Sequence, residues 1–130
     1  MREINLTSLQ TNFNGEDWCQ FLHATSKEKN VVIDLFIQAE LSWFIGHFPD
    51  QAVLPGVVQT NWACLIAQHC FLLQGFSKVT DLKFKSMVFP DTKLQMILDH
   101  LPEKQSVVFS LKNEVESFSS GVLHFKSNKP

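Results

Sequence analysis

At 130 residues the chain is long enough for one domain with a real hydrophobic core and too short for two. Its 45 % hydrophobic content, including twelve Phe and three Trp, argues against disorder. A formal charge of −2 offers none of the basic excess that nucleic-acid binding needs. The three cysteines, Cys19, Cys64 and Cys70, are odd in number and lack zinc-ligand spacing. The start, MREINLTSLQTNFNG, has no apolar core of signal-peptide length. These features lead to the expectation of one soluble domain over residues 1–130, in a reducing cytoplasm.

Residues 1–16 form a weakly patterned lead-in, irregular or a short helix. DWCQFLHAT and VVIDLFIQ follow, joined by the polar SKEKN. Two apolar runs around a short polar link predict an antiparallel hairpin. GVVQTNWACLIAQHCFLLQG then carries apolar residues around nearly its whole helical surface. This predicts a helix buried on most sides, with Pro55 in the first turn and Gly75 as a left-handed terminator. Gln59, Asn61, Gln68 and His69 interrupt any run of the ~18 apolar residues a membrane span requires.

The C-terminal half alternates as strands do: KVTDLKFKSMVF, KLQMILDHL, SVVFSLKNEV and SSGVLHFK. Turn signals fall at Pro90-Asp91, Pro102-Glu103 and Ser119-Ser120-Gly121. In the first of these runs, Leu82 and Phe84 point to one face and Lys83 and Lys85 to the other. Residues 127–130 read as a frayed tail. The order predicts an α+β domain in which a curved antiparallel sheet wraps one long helix.

FIGHFPDQAVLPGVVQ resembles the signature of the β-hydroxyacyl-acyl-carrier-protein dehydratases. Phe44, Gly46, His47, Phe48, Pro49, Val53, Leu54, Pro55, Gly56 and Val57 match it in order and spacing. LKFKSMVFPDTKLQM resembles a later family stretch through Phe84, Val88, Pro90, Asp91 and Leu94. The wording VVQTNWA is nearest to the aryl-polyene-type thioester dehydratases. The resemblance covers about residues 17–126 and implies the hotdog fold. The chain departs from the family in three places: it lacks the usual opening element, it has Ala52 for a proline, and it has Asn61 where the family carries its acid.

The resemblance implies that His47 is the base that removes the proton beside a thioester carbonyl, a task suited to an imidazole titrating near neutrality. From the residues alone, His47 also reads as a loop histidine bonded to backbone. Gly56 would aim its N–H at the thioester oxygen, from a helix N-terminus that offers unpaired donors and a partial positive charge. Phe48 and Val57 would line the substrate. Asn61 can hydrogen-bond a hydroxyl or a water but cannot donate a proton as a carboxylic acid does. Its other reading is a buried amide that satisfies backbone. Cys64 and Gln68 lie near its face and read mainly as core, and His23, His69, His100 and His124 as structural or surface residues.

The implied function is dehydration of 3-hydroxyacyl chains carried as thioesters on acyl-carrier protein or CoA, in fatty-acid or polyene-type biosynthesis. The alternatives are a catalytically impaired subunit paired with an active homologue, and a hotdog thioesterase. In the family the histidine and the acid come from different subunits. A homodimer, a heterodimer with an acid-bearing homologue, or a higher oligomer would each assemble a site. Lys83 and Lys85, with Lys78 and Lys93, are candidates for docking an acidic carrier protein, or simply a solvated face. The sequence carries no metal, flavin or nucleotide motif, and the elimination needs no cofactor.

Overall fold

The computed structural model describes residues 4–45 and 52–126. Helix α1 (Leu6–Asn12) opens the chain, capped by Asn5, whose side chain accepts from the Ser8 N–H at 2.7 Å. Strands β1 (Gln20–Lys27) and β2 (Asn30–Ile37) form the expected hairpin. Its tight turn uses Glu28 at φ 55°, a left-handed conformation taken without glycine. A 3-10 turn at Ser42–Phe44 precedes helix α2 (Gly56–Phe71). Strands β3 (Phe76–Phe84), β4 (Thr92–Leu101), β5 (Ser106–Lys112) and β6 (Ser117–Phe125) complete the chain.

The six strands make one antiparallel sheet in the order β1-β2-β4-β5-β6-β3. Alternation along β2 and β4 sends Val31, Ile33, Leu35, Ile37, Leu94, Met96 and Leu98 to one face. The register pairs Val31 with Leu98, Leu98 with Phe109 and Phe109 with Gly121, so one inward row crosses four strands. Against this face α2 buries Val58, Trp62, Ala63, Ile66, Ala67 and Cys70. Each large apolar side chain so buried contributes about 1.5–3 kcal/mol.

Four sequence expectations need correction. The Ser119-Ser120-Gly121 break lies inside β6, not in a turn. A Cβ at position 121 would meet Phe109 Cε2 at 2.8 Å, so glycine is there to admit that ring. The helix does not run to Gly75. It ends at Phe71, and Leu72 takes the left-handed cap at φ 55°; Gly75, also left-handed at φ 75°, serves the link into β3. Strand β3 stops at Phe84 rather than Phe89, and both of its faces are exposed over Asp81–Phe84. It is an edge strand, with Asp81 at φ 52° where the register shifts between Thr80 and Lys83. Finally, α2 is not covered all round. Val57, Asn61, Leu65 and Leu72 form an exposed, mostly apolar stripe along it.

Candidate active site at the start of the central helix

Helix α2 begins at Gly56, after Pro55 at φ −59° and ψ 143°. The Pro55 carbonyl accepts from the Val58 and Gln59 N–H groups at 3.1 and 3.2 Å. Among the described residues the Gly56 and Val57 N–H groups have no hydrogen-bond partner. They are the unpaired donors that every helix start leaves, and they sit at the positive end of a 16-residue helix. One turn later, Thr60 Oγ1 donates to the Gly56 carbonyl at 3.0 Å.

The approach to this turn is tied down from two sides. The Leu54 N–H donates to the Val88 carbonyl at 2.8 Å, and the Leu54 carbonyl accepts from Gln59 Nε2 at 3.0 Å. Val88 is itself fully buried, in the link between β3 and β4. Phe84, the last residue of β3, lays its ring against Gly56. A Cβ at position 56 would fall 2.6 Å from Phe84 Cζ. Glycine therefore has a packing role here besides the one expected from the resemblance.

Asn61 lies one helical turn beyond Val57, on the exposed stripe. Its side-chain amide makes no hydrogen bond among the described residues. The reading of Asn61 as a buried amide that satisfies backbone therefore fails, because the residue faces outward. Its neighbours on the stripe are apolar: Val57 is 75 % exposed and Leu65 is 37 % exposed. Cys64 is buried, and burial pushes its thiol up to about 11, so it is protonated and unreactive at neutral pH. His47 and Phe48 lie outside the described residues.

Lys83 and Lys85 are exposed at and just past the end of β3, and Lys78 and Lys93 are exposed on β3 and β4. The other histidines take structural positions. His69 Nε2 pairs with Ser8 Oγ at 2.8 Å, His124 Nε2 pairs with Thr80 Oγ1 at 2.8 Å, and the His100 ring lies tilted against Phe71 with centroids 4.7 Å apart. His23 Nδ1 lies 3.9 Å from Asp34 at the surface. Among the described residues no group of His, Cys, Asp and Glu could hold a metal ion. No described helix is long and apolar enough to cross a membrane.

The sequence singles out Gln59 only as an interruption of an apolar run. It hides the clamp around Asp17, whose carbonyl accepts from the Trp43 and Trp62 indoles at 2.8 and 3.2 Å. Ser42 Oγ donates to the Asp17 carboxylate. This clamp fixes the 3-10 turn that leads toward the His47 segment. Cavities bordered by described residues lie elsewhere. One of about 480 Å³ is bordered by Phe13, Trp18, Phe21 and Gln38. Another, of about 590 Å³, is bordered by Leu22, Asp34, Lys93 and Val115.

Comparison with known proteins agrees with this architecture. Residues 23–122 match the ApeI-like family, described as ApeI dehydratase. The chain is similar to a solved structure described as the dehydratase heterocomplex ApeI:P from Xenorhabdus doucetiae. The match has 26 % identity and a TM-score of 0.79, and covers 84 % of this chain and 98 % of that one. It is also similar to an uncharacterised protein from Erwinia carotovora subsp. atroseptica, with 26 % identity, a TM-score of 0.74, and coverage of 85 % and 97 %. A thioesterase from Staphylococcus aureus subsp. aureus Mu50 shares the fold alone, at 12 % identity and a TM-score of 0.51 over 84 % and 93 % of the two chains. No curated protein sequence matches the chain. With 100 of its 130 residues inside the match, the sheet wrapped against α2 is a hotdog domain, and the chain belongs to the ApeI-like dehydratase family.

Proposed function

We propose that this protein is a dehydratase-type subunit that eliminates water from 3-hydroxyacyl thioesters carried on acyl-carrier protein or CoA. The observation that carries this reading is the combination of Gly56 and Val57 N–H groups that have no partner among the described residues with an outward-facing Asn61 one turn along the same helix. In the proposed reaction His47 takes the proton beside the thioester carbonyl. The carbonyl oxygen gains negative charge, and the Gly56 N–H stabilises it with the help of the helix start. The C–O bond to the 3-hydroxyl then breaks, and the hydroxyl leaves as water with a proton drawn from solvent, while the His47 imidazolium returns its proton to solvent. Phe48 and Val57 flank the substrate. The elimination is redox-neutral and needs no cofactor.

Asn61 occupies the position from which the departing hydroxyl would be protonated. An amide can hold the hydroxyl by hydrogen bonds but cannot supply the proton. General acid–base assistance contributes roughly 10²–10⁴-fold, so the chain on its own is a slow dehydratase. A second reading follows from the same residue: the chain supplies His47 and Gly56 and a homologous partner supplies the carboxylate. The exposed apolar stripe around Asn61 favours such a two-chain site, as does the heterocomplex of the Xenorhabdus relative. A thioesterase has weaker support, since the likeness to one is of fold only.

Product analysis on a 3-hydroxyacyl thioester tests the proposal. An enoyl thioester, lost in His47→Ala, is the expected result. A free thiol would indicate hydrolysis instead, and unchanged enoyl formation in His47→Ala would remove His47 from the mechanism.

A further inference from the structure

Gln59 is a polar residue of α2 that the proposed chemistry does not use. It sits on the buried side of α2, only 3 % exposed, among Val58, Trp62 and Ala63. Its Nε2 donates to the Leu54 carbonyl at 3.0 Å, while its Oε1 is buried with no partner among the described residues. A buried acceptor left without a donor costs more than one ordinary hydrogen bond returns. An apolar side chain of the same length would remove that orphan but would leave the buried Leu54 carbonyl without this donor. The amide must be explained by where its one hydrogen bond goes.

That hydrogen bond fixes the peptide that launches the helix. The Leu54 N–H is held by Val88 from the link before β4, and its carbonyl by Gln59 from within α2. Both polar groups of this one residue are therefore pinned by different parts of the chain. Pro55 follows with its ring-locked φ, and Gly56 comes next. The direction of the Gly56 and Val57 N–H groups is set by these three constraints in series.

We infer that Gln59 is a positioning residue: its side-chain amide holds the Leu54 carbonyl and so aims the Gly56 and Val57 N–H groups at the reacting carbonyl. The catalytic half of this inference rests on the function proposed above; the structural half does not. Oxyanion donors work by being fixed before charge develops, so a loosened helix start weakens the transition state more than ground-state binding.

Gln59→Met keeps the length and removes the donor, and Gln59→Leu is a second apolar variant should Met pack badly. Two measurements on the full chain decide the case. In the first, amide hydrogen exchange followed by NMR, the Leu54 N–H exchanges at least about tenfold faster in the variant while amides of β4 and β5 keep their rates. In the second, kcat on a 3-hydroxyacyl thioester falls about tenfold with KM within about twofold. Unchanged exchange at Leu54 overturns the inference whatever the activity. Faster exchange with unchanged kcat overturns the catalytic half. If wild type gives no turnover, alone or mixed with an acid-bearing homologue, the functional reading fails, and Leu54 exchange still decides whether Gln59 holds the helix start.

Discussion

Position 56 carries two demands that glycine meets together. The Phe84 ring occupies the space a Cβ would need, and the N–H beside it has no partner among the described residues. The ring belongs to a half-exposed side chain, so it can swing aside at small cost. Gly56→Ala is therefore expected to change stability by less than about 1 kcal/mol in urea titration. Turnover is expected to fall by about tenfold or more, because the new methyl and the displaced ring crowd the thioester. Equal losses in both measurements would make Gly56 a packing residue only. His100 makes a separate prediction at this scale. Burial and then the Lys29 charge hold its imidazole below the usual value of 6.5. The unfolded chain therefore binds this proton more readily, and stability falls as pH drops below about 6.5 toward the folded value. His100→Gln should flatten that part of a Tm-against-pH curve.

The elements were legible in the sequence wherever a single face is buried. β2, β4 and β5 alternate because one side meets α2 and the other meets solvent, and their bounds fell close to the reading. The reading failed where backbone geometry or a missing neighbour, not pattern, decides. Gly121 looked like a turn residue, yet it lies in mid-strand to admit the Phe109 ring. Gly121→Val is expected to cost about 1–3 kcal/mol by overpacking, measured as a lower urea midpoint at unchanged m-value. An unaltered midpoint would mean that Phe109 has room to move. The helix end was missed because Leu72 takes a conformation expected of Gly75. The exposure of α2 was missed because its outward stripe is itself apolar, so periodicity could not tell it from the buried side. For the same reason the departure from the family at Asn61 is legible through the resemblance but its outward direction is not.

For the whole molecule, the notable feature is how much apolar surface lies along the α2 stripe and the β3 edge. Val57, Leu65, Leu72, Phe76, Leu82, Phe84 and Met87 are all substantially exposed. Exposed apolar groups gathered this way, next to an unpaired strand edge, mark an association surface. The proposed two-chain site requires that surface to be covered. Leu65→Lys should therefore lower the mass measured by light scattering and reduce turnover, without lowering the stability of the isolated fold. A variant with the wild-type mass and activity would place the interface elsewhere. Gly56, Val57 and Asn61 would then form a site within one chain.

On the proposed function, this chain holds a dehydratase scaffold in which the amide of Asn61 stands in place of a proton donor. Enoyl-thioester formation by wild type, Asn61→Asp and Asn61→Glu, each alone on the same 3-hydroxyacyl thioester, tests it most directly. Slow turnover by wild type is expected, with a rise of about 10²-fold or more in at least one acidic variant, abolished by adding His47→Ala. Acidic variants no faster than wild type would contradict it.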